Sequence, residues 1–143
     1  MKTYKVGLIR VLTTEDEELL QLHGKLIESY FPMFQVVSRC IPEQPEGIHD
    51  DETFAVGVPK VVNLAVELWK EGCQAIIISC AGDPGVPEAR QAVPIPVIGA
   101  GCSTGSRSYN RNRYCSVESV FWQSSGCVGD YRRCTVRISA DIR

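Results

Sequence analysis

A cysteine stands where an apolar run of the chain meets a turn-forming segment. Residues 75–89 read AIIISCAGDPGVPEA, so Cys80 follows a continuous apolar stretch and precedes two glycines, an aspartate and two prolines. A thiol close to backbone N–H groups ionises more readily, and a thiolate can act as a base or a nucleophile. Gly82 leaves the backbone open to a ligand, and Asp83 can orient the thiol or hold a substrate amide. We therefore take Cys80 as the candidate reactive group and Gly82 and Asp83 as candidate binding residues.

The residues around this segment alternate between strand and helix patterns. The unbroken apolar run before Cys80 is typical of a central parallel strand that is covered on both faces. The patterns predict strands at residues 4–12, 34–37, 75–79 and 95–98, with helices from Thr14, from Pro59 and over residues 84–90. This order predicts an α/β fold, an open parallel four-stranded sheet with helices on both faces. Ligands of such sheets bind at the carboxyl ends of the strands, where Cys80 lies.

The first helix has two features that position it. Thr14 and Glu17 have the spacing of a capping box, and Pro32 ends the helix. Its apolar residues recur every three or four positions, which predicts that one face packs on the sheet; they are Leu19, Leu22, Leu26, Ile27 and Tyr30.

Two further residues fall at predicted strand ends. Arg10 closes the first strand and Ser79 the third, so both are candidate substrate-binding residues, with a place at the edge of the core as the alternative. A helix that begins at Pro84 or Pro87 would direct N–H groups toward the same edge and favour an anion there. His23, on the first helix, is interpreted as a surface or half-buried residue.

The cysteines indicate free thiols. Seven cysteines form an odd set with irregular spacing, and the chain shows neither a secretion signal nor a Cys-x-x-Cys pair. We therefore expect no disulfide framework and no structural zinc site. Cys40 and Cys73 are interpreted as small buried hydrophobic residues, and the same interpretation is the alternative for Cys80.

Composition excludes several classes of protein. The 143 residues are 44% hydrophobic and 22% charged with a net charge of −2, which is typical of a globular protein and does not favour nucleic-acid binding. No apolar run approaches the roughly 20 residues that a membrane span needs. The first ten residues lack the pattern of a signal peptide, so we expect a cytoplasmic protein that acts on a small molecule, with no membrane or nucleic-acid partner.

A break in composition divides the chain near residue 102. Residues 1–102 carry 8 Lys and Arg against 14 Asp and Glu, whereas residues 103–143 carry 7 against 3. The second part contains no leucine or lysine, and its 41 residues include 8 serines and 3 cysteines. We expect an α/β domain over 1–102 and an irregular tail over 103–143, which is either disordered or the product of a shifted reading frame.

Three segments of the body resemble one family. VGLIRVLT, VVSRCIPEQPEGI and AIIISCAGDPGVPEARQAVPIPVIGAG are similar to segments of the aspartate/glutamate/hydantoin racemases, and most similar to the hydantoin racemase branch. The resemblance covers residues 4–104. It implies a flavodoxin-like or Rossmann-like half of a two-domain, cofactor-independent isomerase, in which two cysteines exchange the proton on opposite faces of the substrate α-carbon. Cys80 matches the first of these cysteines, Gly82 and Asp83 match pocket positions, and Arg10 is a weaker match.

The second half of such a racemase, with its own strand-end cysteine, has no counterpart in the sequence. Cys102 lies in the segment that resembles the loop after the fourth strand. The expected function is therefore racemisation of amino acids or 5-substituted hydantoins, impaired in a truncated chain whose uncovered apolar surface favours self-association, for example as a homo-oligomer. Two alternatives remain at this point, a non-catalytic module that binds a small anion and a thiol-redox protein with a resolving cysteine.

Overall fold

A computed structural model describes residues 3–103 of the chain. Strands and helices alternate along these residues, as the sequence predicts. The elements are β1 (Tyr4–Arg10), α1 (Glu17–Tyr30), β2 (Phe34–Cys40), α2 (Asp51–Lys70), β3 (Ala75–Ser79), α3 (Val86–Ala92), β4 (Val97–Gly99) and α4 (Ala100–Ser103). The four strands form one parallel sheet in the order β2-β1-β3-β4. The prediction of an open four-stranded parallel α/β fold is therefore confirmed.

Helices cover both faces of the sheet, but unequally. A Cβ on Gly24 of α1 would meet Val36 and Ser38 of β2, whereas a Cβ on Gly7 of β1 would meet Leu68 of α2. The register pairs Val36 and Ser38 with the neighbours of Gly7 in β1, so the two helices lie on opposite faces. Right-handed crossovers explain this arrangement, because the chain moves from β1 to β2 in one direction and from β2 to β3 in the other.

The main core lies on the α2 side of the sheet. β1 contributes Ile9 to it and β3 contributes Ile76 and Ile78, all three of which are completely buried. α2 supplies a continuous buried stripe that packs against them, formed by Val61, Leu64, Ala65 and Leu68. This face holds the central strands rigidly beneath the loops that follow them.

α1 differs from its prediction in two respects. Its N-cap is Asp16, whose carboxylate accepts the backbone N–H groups of Glu18 and Leu19 at 2.9 and 3.1 Å, so the expected capping box of Thr14 and Glu17 is wrong. The expected contact face is also wrong, since four of its five apolar residues are exposed: Leu19, Leu22, Leu26 and Tyr30. The closest approach to the sheet is instead at the buried Gly24, which turns the leucines to the flank of the helix.

α2 begins before Pro59, contrary to the prediction that this proline opens it. Asp50 accepts the N–H of Thr53 at 2.8 Å, and the hydroxyl of Thr53 in turn accepts the N–H of Asp50 at 3.1 Å. This reciprocal capping box fixes the first turn at Asp51 and leaves Pro59 inside the helix. The earlier start brings Phe54 to the loop that follows β3.

The remaining differences are shifts of boundaries. β2 continues to Cys40, three residues beyond its expected end, and β4 is the short stretch Val97–Gly99. α3 begins at Val86 with Pro87 in its first turn, in agreement with one of the two expected starting prolines. None of the helices between residues 3 and 103 combines the length and apolar character that crossing a bilayer requires.

Candidate active site

The last residues of three neighbouring strands form a row at the carboxyl edge of the sheet. Arg10 pairs in register with Cys40 of β2 on one side and with Ser79 of β3 on the other. Paired residues of parallel strands point to the same face, and here this is the face that α1 covers. The structure therefore brings together Arg10 and Ser79, the two candidates at strand ends.

Arg10 is a buried cation. Only 7% of its surface is exposed, and its Nη1 atom is fully buried without a hydrogen-bond partner among residues 3–103. Burial lowers the pKa of the Arg10 guanidinium, although an arginine keeps its charge in proteins. Burial of a charge without a partner is unfavourable, so an anion that reached the guanidinium would be bound favourably.

His23 of α1 joins Arg10 and Ser79. Its Nδ1 atom lies 2.6 Å from Oγ of Ser79, and both residues are half-buried. Burial, followed by the positive charge of Arg10, lowers the pKa of His23. The lowered pKa favours the neutral imidazole, and the tautomer of the ring sets whether Nδ1 or the Ser79 hydroxyl donates in this hydrogen bond. The interpretation of His23 as a surface or half-buried residue agrees with its burial, and its contact with Ser79 is a feature that the sequence did not reveal.

A sequence signal for His23 exists in hindsight. It directly precedes Gly24, the residue at which α1 approaches the sheet most closely. A glycine inside an amphipathic helix marks a close approach, and its neighbours then lie beside the partner strand.

Cys80 lies on the other side of the same edge. It packs against the core beneath α2 and α3 and is half-buried. A Cβ on Gly82 would lie 4.0 Å from Sγ of Cys80 and 3.7 Å from the ring of Phe54, so the glycine leaves space next to the thiol. Gly82 and Cys80 are thus brought together, with Phe54 as an apolar wall that the sequence did not reveal.

Asp83 connects the loop after β3 to α4. Its carboxylate accepts the backbone N–H groups of Gly101 and Cys102 at 2.7 and 2.5 Å, both in the short helix that directly follows β4. Its backbone has a φ of +51°, a left-handed conformation that aspartate tolerates better than most residues. Both carboxylate oxygens are therefore engaged in fixing the loop, whereas the sequence suggested an aspartate that orients the thiol or holds a substrate amide.

The start of α3 offers few donors for an anion. Pro84 and Pro87 have no N–H group, and the N–H of Val86 is donated to the carbonyl of Asp83 at 3.3 Å. The positive charge of this edge comes instead from Arg10, on the opposite face.

The other cysteines have distinct surroundings. Cys73 is buried, and burial raises the pKa of its thiol, in keeping with its interpretation as a small hydrophobic residue. Cys40 is only half-buried, and its Sγ lies 3.8 Å from the carbonyl oxygen of Thr14. Cys102 is exposed, while Cys115, Cys127 and Cys134 lie outside the described residues. In the described part of the chain, no three His, Cys, Asp or Glu side chains are grouped as metal ligands.

Known proteins with the same architecture include a racemase. Allantoin racemase from Klebsiella pneumoniae aligns with a TM-score of 0.63 and 21% sequence identity, over 71% of this chain and 41% of that one. The likeness shows a common fold, and the chain spans less than half the length of that racemase. No curated protein matched the sequence.

A family model identifies the chain by its sequence. The model of the Asp/Glu/hydantoin racemases matches residues 10–119, which is more than half of the protein. The match begins at Arg10, includes the whole row of strand ends, and extends past residue 102. The domain boundary expected at residue 102 stays a prediction. The chain belongs to the Asp/Glu/hydantoin racemase family.

Proposed function

We propose that this chain provides one half of a cofactor-independent racemase active site, with Cys80 as one of two acid–base thiols. The substrate is an amino acid or a 5-substituted hydantoin, whose α-carbon is deprotonated on one face and reprotonated on the other. The isomerase activity, the catalytic cysteine and a cytoplasmic location are all parts of this proposal. Family membership supports it.

The observation that carries the proposal is the position of Cys80. It directly follows the central strand β3 at the edge where parallel sheets bind ligands, and Gly82 leaves space beside its sulfur. A base that removes an α-proton must come within hydrogen-bond reach of it, so a half-buried thiol next to open space suits this role.

Inversion needs a second acid–base group on the other side of the substrate. In the racemases that the sequence resembles, this second group is a cysteine in a second half of the protein that is similar to the first. The chain spans 41% of the allantoin racemase with which it aligns, so the counterpart of that half is not among residues 3–103. We therefore expect the isolated chain to exchange the α-proton faster than it inverts the centre.

The experiment measures both steps in D₂O. Incorporation of deuterium at the α-carbon is followed by mass spectrometry, and inversion by chiral chromatography, for L-aspartate and for 5-methylhydantoin. Deuterium incorporation without matching racemisation is expected for one thiol acting alone. The proposal would be contradicted if neither substrate exchanged its α-proton faster in the presence of the protein than in buffer.

A second candidate function is a module that binds a small anion without turnover. The buried Nη1 of Arg10, which has no hydrogen-bond partner among residues 3–103, favours it, because a buried guanidinium attracts a carboxylate whether or not a reaction follows. The exchange assay distinguishes the two functions, because a binding module binds the anion without exchanging its α-proton.

A further inference from the structure

We propose that Arg10, with Ser79 and His23, forms the subsite for a substrate carboxylate, so that the substrate is an amino acid anion and not an uncharged hydantoin. This inference rests on the proposed function and narrows its substrate class. It assigns a role to His23 and gives Arg10 and Ser79 a common ligand.

The first argument is the state of Arg10. Its side chain is more than nine-tenths buried, and Nη1 has no hydrogen-bond partner in residues 3–103. Buried charges in proteins are normally paired, because removing an unpaired ion from water is strongly unfavourable. Carboxylates and phosphates are the common anionic groups of metabolites that fit a guanidinium best. A carboxylate does so because its two oxygens accept two parallel N–H hydrogen bonds.

The second argument is the polar character of the neighbours. Ser79 lies beside Arg10 in the sheet register, and its hydroxyl contacts Nδ1 of His23 at 2.6 Å. A hydroxyl can turn toward an arriving carboxylate oxygen and donate a hydrogen bond to it. None of the three residues carries a negative charge that would repel a carboxylate.

The third argument is the distance to Cys80. Ser79 and Cys80 are consecutive, so their Cα atoms lie about 3.8 Å apart. Their side chains point to opposite faces of the sheet edge, since successive residues of a strand alternate. A small substrate seated across this edge can place its carboxylate on the Arg10 side and its α-carbon on the Cys80 side.

Access to the subsite runs along its half-buried members. Ser79 and His23 both retain exposed surface, whereas Arg10 is closed off. An anion would therefore enter beside α1 and meet the guanidinium last. The low polarity around so buried a cation strengthens its attraction to the anion.

The test uses a matched pair of ligands and the full chain with Cys80→Ala, so that binding is measured without turnover. N-carbamoyl-L-alanine carries a carboxylate, and 5-methylhydantoin is its uncharged, cyclised counterpart. Isothermal titration should show binding of N-carbamoyl-L-alanine and of L-aspartate, and at least about tenfold weaker binding of 5-methylhydantoin.

Variants at two arginines make the assignment specific. Arg10→Met keeps the aliphatic bulk. It removes a buried charge whose Nη1 has no hydrogen-bond partner in the described part of the chain, so the unliganded protein should be at least as stable. It should lose about tenfold or more in carboxylate affinity, whereas Arg39→Met should keep that affinity because Arg39 is exposed and paired with Glu71 at 3.0 Å. Arg10→Lys keeps the positive charge but loses the planar pair of N–H donors, so it should give an intermediate carboxylate affinity. It replaces Arg10→Met in the test if Arg10→Met does not fold.

Two results would overturn the subsite. One is carboxylate binding in Arg10→Met and in Arg10→Lys that is as strong as in the protein with Arg10 unchanged, and the other is tighter binding of 5-methylhydantoin than of N-carbamoyl-L-alanine. The proposed racemase function is tested separately by α-proton exchange, so exchange of a hydantoin without any effect at Arg10 would remove the inference and retain the function.

Discussion

Nδ1 of His23 lies 2.6 Å from Oγ of Ser79, and this contact ties α1 to the last residue of the central strand β3. The next residue along the chain is Cys80, the candidate acid–base thiol. A helix residue thus reaches the strand end that positions the thiol, and Arg10 lies beside the same serine in the sheet. The carboxyl edge of the sheet therefore combines a thiol on one face with a cationic, hydrogen-bonding cluster on the other.

Protonation of His23 should destabilise the protein. Its pKa in the folded state is lowered from the ordinary value of 6.5, by burial first and by Arg10 second, so the unfolded chain binds the proton more tightly. The contribution of neutral His23 to the free energy of unfolding is therefore fully present above pH 6.5. It is lost as the pH falls from 6.5 toward the pKa of His23 in the folded state. Urea unfolding between pH 5 and 7.5 should show this loss, and His23→Gln should reduce it. An unchanged pH dependence in His23→Gln would contradict the account.

Loss of the Asp83 carboxylate should loosen the loop after β3. Asp83 accepts two backbone N–H groups from α4, so Asp83→Ala leaves both without this partner and should cost about 1–3 kcal/mol of unfolding free energy. Asp83→Asn should cost less, because its amide oxygen still accepts one bond and asparagine tolerates the positive φ. Chemical denaturation measures both. Equal stability of Asp83→Ala and the unmodified protein would show that the contact does not hold the loops together.

A methyl group at residue 24 should push α1 away from the sheet. A Cβ there would lie 2.6 Å from Oγ of Ser38, which is buried without a hydrogen-bond partner among the described residues. Gly24→Ala should therefore destabilise the protein by about 1–3 kcal/mol, although alanine favours helices. Adding Ser38→Ala removes the clashing atom and should restore part of the loss. Thermal unfolding of the single and double variants measures the coupling free energy between residues 24 and 38. Additive effects would argue against the close approach of α1 to the sheet.

The exposed flank of α1 should promote self-association. More than half the surface of Leu22, Leu26 and Tyr30 is exposed, and Ile98 of β4 is exposed on the same face of the sheet. Apolar surface of this kind is covered in stable proteins, and here a second copy of the chain can cover it. Light scattering should show a mass that rises with concentration, and Leu22→Glu with Leu26→Lys should lower it. Val56→Glu, at an exposed position on α2, is the control, and a compact monomer at all concentrations would contradict the prediction.

The architecture was predictable because its signals are local and repeated. The apolar run at Ala75–Ser79 and the alternation of strand and helix patterns were enough for the parallel sheet and for the location of its functional edge. Cap residues were less predictable, since Thr14 and Asp16 both fit a helix start and only the folded backbone decides between them. The start of α2 was missed because Pro59 suggested a first turn, whereas the capping box at Asp50 lies earlier in the chain.

The site was less predictable than the sheet. The positions of Cys80, Arg10 and Ser79 follow from strand ends, but the division of their side chains between two faces depends on the register. The contact of His23 with Ser79 spans 56 residues of sequence, and no local pattern encodes it. Asp83 could be singled out by its neighbours, whereas its partners Gly101 and Cys102 are set by the packing of one loop on the next.

The most direct test of the central claim compares Cys80→Ala with Cys40→Ala in the deuterium exchange assay. Both thiols are half-buried and lie at the carboxyl edge of the sheet, Cys40 at the end of β2 and Cys80 directly after β3, so the pair controls for general effects of thiol removal. If Cys80 is the acid–base group, Cys80→Ala should reduce α-proton exchange by at least about a hundredfold, the usual contribution of a general base, while Cys40→Ala keeps it. Exchange that survives in Cys80→Ala at the rate of the unmodified protein would contradict the assignment of this thiol.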